Sequence, residues 1–202
     1  MDLLREGAIL MADTRIDETW SHLLIIMEAE SGPLSQVAKE LLGKGRELAD
    51  QLGVWLMVYS QSPLPDEGKE MISYGADLVF RTAFSSEIPL SRRLLHEKNR
   101  VIHLIEARRP EIVLFPATDR SAALAARVAQ HFRTGLVTGC TALNLDLTER
   151  RLLATQPRYA GKLFEEYTWP VQRPQMATLA AGAFPEGFPD PYREGRIEAF
   201  PD

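Results

Sequence analysis

The feature that most constrains this chain is a strand-helix-strand pattern close to its start. Residues Leu23 to Met27 form a continuous apolar run, which is typical of a central parallel strand buried on both faces. From Leu34 to Leu52 apolar and small residues recur every three or four positions, which predicts a long amphipathic helix. Gly53 is expected to end that helix in a left-handed conformation, and Val54 to Tyr59 follow as a second buried strand. This order predicts a right-handed parallel crossover.

The alternation of strands and helices continues through the middle of the chain. One further helix should carry Leu94 and Leu95 inward and end before Pro110, which lacks a backbone donor. The other predicted elements are a short helix from Pro65 to Gly75, strands at Asp77 to Phe80 and Ile112 to Phe115, and a helix that closes at Gly135. Repeated units of this kind predict an α/β fold with a doubly wound, mostly parallel sheet.

The pattern changes after Gly135, where apolar segments follow one another without an amphipathic helix between them. Short strands are predicted at Leu136 to Thr138, Leu152 to Gln156, Lys162 to Trp169 and Met176 to Leu179. We interpret them as a short antiparallel extension or edge of the sheet. The predicted organisation is an amino-terminal extension at 1–19, an α/β domain at 20–184 and a Pro/Gly-rich tail at 185–202. The tail is expected to be mobile or to lie on a partner.

Composition excludes several classes of protein. Lys and Arg total 23 against 28 acidic residues, the net charge is −5 and basic residues do not cluster, so we expect no nucleic-acid ligand. The longest strongly apolar run is far shorter than the ~20 residues that span a bilayer, and the start lacks a signal-peptide pattern. We therefore expect a cytoplasmic protein without membrane contact. Cys140 is the only cysteine and the histidines are scattered, so neither an internal disulfide nor a metal site is expected.

Ligands of an open parallel sheet bind beyond the carboxyl ends of its strands. That rule selects the loops that begin at Glu28, Ser60 and Pro116. The third loop opens a helix whose free amides and dipole attract an anion. The candidate residues for a weak nucleotide site are Glu28, Ser60, Thr118, Asp119, Arg120 and Ser121. Helix capping alone also explains a threonine, an aspartate and a serine at this position, and the sequence leaves both interpretations open.

No catalytic constellation is recognised in the sequence. The chain has no Gly-x-Ser-x-Gly elbow, no phosphate-binding loop that ends in Gly-Lys-Ser/Thr and no dinucleotide fingerprint. Glu28 and Glu30 lie near the ligand end of the first predicted strand and could pair as acid and base, but no partner group accompanies them. We therefore expect that the chain is not an enzyme.

Several segments resemble one known family, in the same order along the chain. Pro110 to Thr118 is similar to a strand and turn of that family, and Leu124 to Ala129 is similar to the helix that follows. Thr155 to Gly161 reads Thr-Gln-Pro-Arg-Tyr-Ala-Gly and resembles the family's Thr-Arg-Pro-x-Tyr-Gly-Gly. Further matching segments are Glu40 to Ala49, Tyr74 to Asp77, Gly135 to Thr141 and Pro174 to Thr178, with Gly182 and Phe184. Over residues 20–184 the chain resembles the amino-terminal domain of the electron-transfer flavoprotein alpha subunit.

The resemblance implies a parallel-sheet domain of the adenine-nucleotide-binding type, a partner of the beta-subunit kind and a role in passing electrons from dehydrogenases through FAD. In the family a separate carboxyl-terminal domain supplies most flavin contacts, whereas only 18 residues follow Phe184 here. The chain also has Ala122, Gln156 and Ala180 where the family pattern has arginines, so three fixed cations are lost. Pro116 and Ser121 replace family glycines, which alters the turn best suited to a phosphate.

The leading hypothesis is an alpha-subunit-like protein that docks a beta-like partner as a binding or scaffolding subunit. No cofactor is then expected for the isolated chain. The competing hypothesis is an electron carrier in which FAD or AMP is bound at an interface with another chain. Without the carboxyl-terminal domain, surface that the family normally covers should be exposed, and exposed apolar patches favour association. We therefore expect either a heterodimer with a beta-like partner or a homodimer.

Overall fold

The computed structural model describes residues 19–28, 32–60, 66–82 and 90–200. For residues 90 and 91 it describes the backbone only. The predicted extension at 1–19 lies almost entirely outside the described residues. The helices are α1 Gln36–Leu52, α2 Glu67–Ser73, α3 Leu90–Arg108 and α4 Asp119–Phe132. The strands are β1 Leu23–Ile26, β2 Leu56–Ser60, β3 Leu78–Arg81, β4 Ile112–Pro116, β5 Leu136–Cys140, β6 Ala142–Asp146, β7 Arg151–Arg158, β8 Leu163–Tyr167, β9 Gln175–Leu179 and β10 Arg196–Ala199.

The predicted α/β fold with a doubly wound, mostly parallel sheet is confirmed. Seven parallel strands form one sheet in the order β10-β3-β2-β1-β4-β9-β5. A separate antiparallel sheet of three strands has the order β6-β7-β8, and we call residues 142–167 the arm. The strand order reverses at β1, from which the chain proceeds first to β2 and later to β4 on the other side. A reversal of this kind opens a crevice at the carboxyl ends of the strands.

The large sheet is buried on both faces because successive side chains of each strand point to opposite sides. In β1, Leu23 and Ile25 face the core that contains Leu41 and Leu48 of α1. Leu24 and Ile26 face the second core, beneath α3 and α4. The continuous apolar run, which predicts a strand buried on both faces, therefore contributes side chains to both hydrophobic cores.

Helix α1 agrees with its sequence pattern at both ends. The Ser35 side chain accepts a hydrogen bond from the Ala38 amide at 3.3 Å, which caps the start. Gly53 ends the helix at φ 67, a left-handed conformation in which a side chain would be strained. Two other local expectations were wrong. Leu95 is 55% exposed rather than inward-facing, and α4 is closed by Arg133 at φ 52, before Gly135 is reached.

The carboxyl-terminal half needs two corrections. The strands predicted at Leu136 to Thr138 and Met176 to Leu179 do not extend the sheet in an antiparallel sense. They lie within the parallel sheet as β5 and β9, and β9 is inserted between β4 and β5. The prediction also missed β6. Strand β9 pairs with β4 and β5, which are distant from it in sequence. No local sequence pattern identifies the neighbours of such a strand.

Residues 185–200, here called the strap, were expected to be a mobile tail or to lie on a partner. They lie on the same domain instead. The Gly187 amide donates to the Lys39 carbonyl of α1 at 3.1 Å, and a Cβ on Gly43 would come within 2.6 Å of the Gly187 nitrogen. Arg193 pairs with Asp77 at 2.7 Å, and β10 then completes the edge of the sheet beside β3. The close crossing of two glycine backbones therefore fixes the path of the strap.

Replacing Leu41 by alanine should lower the free energy of unfolding by ~2–5 kcal/mol, because the side chain is 1% exposed and its loss leaves a cavity under α1. Denaturant unfolding measures the change. The control is Gln51→Ala on the exposed side of the same helix, which should shift stability by no more than ~0.5 kcal/mol. A loss of under about half a kcal/mol for Leu41→Ala would contradict this packing.

Candidate functional site

The candidate site lies at the carboxyl edge of the large sheet. Strand β1 pairs with β2 on one side and with β4 on the other, in parallel. Glu28 follows β1, Ser60 ends β2, and the turn from Pro116 leads from β4 into α4. The fold thus brings the three predicted loops together beyond the carboxyl ends of the parallel strands.

Helix α4 begins there with a side-chain cap. Thr118 is in an extended conformation, and its Oγ1 accepts the Ser121 amide at 3.1 Å. The capping interpretation left open by the sequence therefore describes this contact. It does not exclude an anion, because further amides at a helix start remain without a partner in the helix.

Glu28 makes the decisive contact of the site. Its Oε1 accepts the Ser121 hydroxyl at 2.7 Å and also accepts the Thr118 hydroxyl. A carboxylate supplied by the chain itself thus lies at the start of α4, where the helix dipole favours negative charge. Ser121 is buried beneath this contact. The structure brings together Glu28, Thr118 and Ser121, and it places an acidic side chain where the sequence analysis expects a ligand anion.

Arg120 makes its hydrogen bond to Glu97, although Glu28 is near enough to help raise the pKa of the Arg120 guanidinium. Its Nη2 donates to Oε2 of Glu97 on α3 at 2.7 Å, and the Glu97 side chain is only 4% exposed. This hydrogen bond raises the pKa of Arg120 above its ordinary value, against the opposing effect of burial. The guanidinium neutralises a buried carboxylate and ties α4 to α3. Glu97 could not be predicted from the sequence, because no local pattern links it to Arg120.

The remaining candidates have different environments. Asp119 is exposed in the first turn of α4. Ser60 is buried, and its carbonyl accepts the Thr82 amide at 3.3 Å. Glu30, which was considered as a partner of Glu28, lies outside the described residues.

Three buried polar side chains near Ser60 were not predicted from the sequence. The Tyr59 hydroxyl lies 3.3 Å from Thr82 Oγ1, and Arg100 Nη1 of α3 reaches the same oxygen at 3.5 Å. The three side chains are buried at the ends of β2 and β3. Arg100 thus brings a cation to the same edge as the candidate site. The position of Arg100 on the apolar face of α3 could have indicated a buried arginine. It could not have identified Thr82 as the hydrogen-bond partner.

The three positions at which the resemblance implies arginines lie in, or directly beside, helices and strands of the structure. Ala122 is in the first turn of α4, and Ala180 directly follows β9, where its amide donates to the Cys140 carbonyl at 2.9 Å. Gln156 lies in β7 opposite Glu165. None of the three substitutes carries a charge that could hold an anion.

Comparison with known proteins decides the family. A family model described as the electron transfer flavoprotein domain matches residues 23–202. The chain belongs to this family. Among its relatives, the electron transfer flavoprotein subunit alpha of Clostridium acetobutylicum is 35% identical over 161 residues, or 79% of this chain and 47% of that protein.

Two further relatives are also matched over about half of their own length. The subunit alpha of Thermoanaerobacterium thermosaccharolyticum is 33% identical over 184 residues, which are 90% of this chain and 54% of that protein. Protein FixB of Rhizobium meliloti is 36% identical over 172 residues, which are 80% of this chain and 46% of that protein. The chain therefore spans about half the length of the curated relatives that it matches.

Within residues 19–28, 32–60, 66–82 and 90–200, no helix combines the length and apolar character needed to cross a membrane. In the same part of the chain, no three His, Cys, Asp or Glu side chains are grouped so that they could hold a metal ion.

Replacing Arg120 by alanine should lower the free energy of unfolding by ~1–3 kcal/mol, because the buried Glu97 carboxylate loses its charged donor. Thermal and denaturant unfolding measure the change. In the double variant Arg120→Ala/Glu97→Gln the loss should be smaller, since no charge is then left unpaired. Equal stability of Arg120→Ala and the unmodified protein would show that the ion pair contributes nothing.

Proposed function

We propose that this chain acts as an electron transfer flavoprotein alpha-like subunit that docks a beta-like partner and does not hold FAD by itself. The observation that carries the proposal is the contact of Glu28 with the Thr118 and Ser121 hydroxyls. It fills the start of α4, the place on this edge best suited to a phosphate, with a carboxylate of the chain itself.

The fit to a flavin dinucleotide is poor at this edge. A pyrophosphate needs positioned donors and a flavin ring needs a largely enclosing apolar pocket. Here two hydroxyl donors already serve Glu28, and an approaching phosphate meets a like charge. Arg120 is engaged by Glu97. Nucleotide binding at the weak site predicted from the sequence would therefore require displacement of Glu28.

Docking is supported by the family and by the surface of the arm. Relatives of the chain are named as the alpha subunit of the electron transfer flavoprotein, and a subunit acts within an assembly. Large apolar side chains are exposed near the end of the arm, at Tyr159, Leu163 and Phe164. Exposed apolar surface concentrated in one place is typical of a protein-binding region.

The second candidate function is an electron carrier in which FAD or AMP is held between this chain and another. Family membership favours it, since the matching domain is that of an electron transfer flavoprotein. The partner would then have to supply the cations that Ala122, Gln156 and Ala180 do not. Bound flavin in the assembled complex distinguishes this function from scaffolding alone.

Calorimetric titration of the isolated chain with FAD and with AMP tests the proposal. We expect no FAD binding in the submicromolar range. Glu28→Ala should bind AMP about tenfold more tightly than the unmodified chain, because the helix start loses its internal carboxylate.

The matched control is Asp119→Asn, which removes one negative charge from the same helix turn without opening the contact at Thr118 and Ser121. It should change AMP affinity less than Glu28→Ala does. Submicromolar FAD binding by the unmodified chain would overturn the proposal and restore the electron carrier as the function of the chain alone.

A further inference from the structure

Strand β10 forms one edge of the large sheet, at the end opposite to β5. Among the described strands it pairs only with β3. The Arg196 amide donates to the carbonyl that precedes β3, and the Phe200 amide donates to the last carbonyl of β3, both at 2.9 Å. Because the backbone groups of successive strand residues point to opposite sides, the N–H and C=O groups of Ile197 and Ala199 point away from β3. They form an edge that can accept a further strand.

The side chains of β10 alternate between the two faces of the sheet. Glu198 lies on the face of α3, where its Oε2 accepts from Arg108 Nη2 at 3.0 Å. Arg196 shares that face and is exposed. Ile197 lies on the face of α2, beside Gly68, and is 40% exposed. The edge therefore carries a cation and an anion on one face and an apolar side chain between them on the other.

A second copy of this chain can pair with the edge in a small number of registers. Two-fold symmetry makes the two strands antiparallel. Their outward-facing backbone groups then meet only when the axis passes through a residue, rather than between two residues. Within β10 that residue is Arg196, Ile197 or Glu198. An axis at Ala199 would leave most of the strand opposite residues beyond its end. The side chains decide among the three registers.

Only the register centred on Ile197 is complementary in charge. An axis through Arg196 places that cation opposite its own copy, and an axis through Glu198 does the same with an anion. Like charges directly opposite each other destabilise a sheet. With the axis at Ile197, Arg196 of each chain lies opposite Glu198 of the other, in the closer pairs that exchange no hydrogen bond. The two isoleucine side chains meet at the axis.

We propose that two copies of this chain associate through β10, in the antiparallel register centred on Ile197, and so join their large sheets into one. Charges on an edge strand commonly prevent such pairing. Here the spacing of Arg196 and Glu198 turns these charges into two attractive pairs across the axis. The paired segment is short, so the dimer is weak and depends on both pairs.

The inference goes beyond the proposed function and does not depend on it. The arm follows β5 directly, at the opposite end of the large sheet from β10. A beta-like partner docked on the arm therefore leaves β10 accessible, and an assembly of two alpha-like and two beta-like chains is expected. Docking of the beta-like partner can succeed or fail independently of the pairing through β10.

Sedimentation of the whole chain and its variants at micromolar concentration tests the inference. The unmodified chain should form a dimer. Arg196→Glu and Glu198→Arg should each weaken the dimer by about tenfold or more, because the two-fold axis makes one substitution convert two attractive pairs into two repulsive pairs. Arg127→Glu is the matched control and should leave the dimer unchanged. Arg127 is exposed on α4, which packs against the other half of the sheet.

Mixing the two single variants is the decisive measurement. Every glutamate at positions 196 and 198 of one chain then lies opposite an arginine of the other chain. The mixture should form a heterodimer with an affinity close to that of the unmodified chain. Mixing would not restore a purely structural contact within one chain, such as that of Glu198 with Arg108.

Hydrogen exchange gives a second readout. The amides of Ile197 and Ala199 should become protected as the protein concentration rises, whereas protection of the Glu198 amide, which faces β3, should not change. A monomeric unmodified chain, a dimer that both single variants retain, or a mixture that stays monomeric would each overturn the inference.

Discussion

The insertion of β9 between β4 and β5 is the constraint on which the carboxyl-terminal half of this domain depends. Because β5 and β9 run in the same direction, the chain must return from the carboxyl end of the sheet to its amino end between them. It does so as the arm. The buried Gln175 at the start of β9 holds the root of the arm, since its Oε1 accepts the Leu152 amide at 2.7 Å and its Nε2 donates to the Arg150 carbonyl at 3.1 Å.

Two further buried contacts fix the same region. Arg150 pairs with the fully buried Glu111 at the start of β4, and the Trp169 indole donates to the Gly135 carbonyl at 2.8 Å before β5 begins. A buried ion pair that is broken on one side is strongly destabilising, so these contacts keep the arm in one direction. A fixed root and an exposed apolar end suit the docking role proposed for the arm, and Glu28 occupies the start of α4 at the carboxyl ends of the parallel strands.

The sequence predicted most reliably what is encoded locally. Helix α1 was expected from Leu34 to Leu52 with Gly53 as its end, and the structure has Gln36–Leu52 ended by Gly53. The position of β9 and the return of the strap to β3 were not predicted, because both are pairings between distant segments. Of the candidate site, the helix start was predicted from its Ser, Thr and Asp. The Glu28 contact with Ser121 spans 93 residues, and no local pattern reports such a contact.

The most direct test of the central claim is the subunit composition and visible absorption spectrum of the protein purified from its native host, before and after its subunits are separated. The chain should be recovered with a beta-like subunit and, once separated from it, should show no flavin absorption. A separated chain that retains stoichiometric flavin would contradict the account, because the start of α4 would then not be closed to a dinucleotide by Glu28.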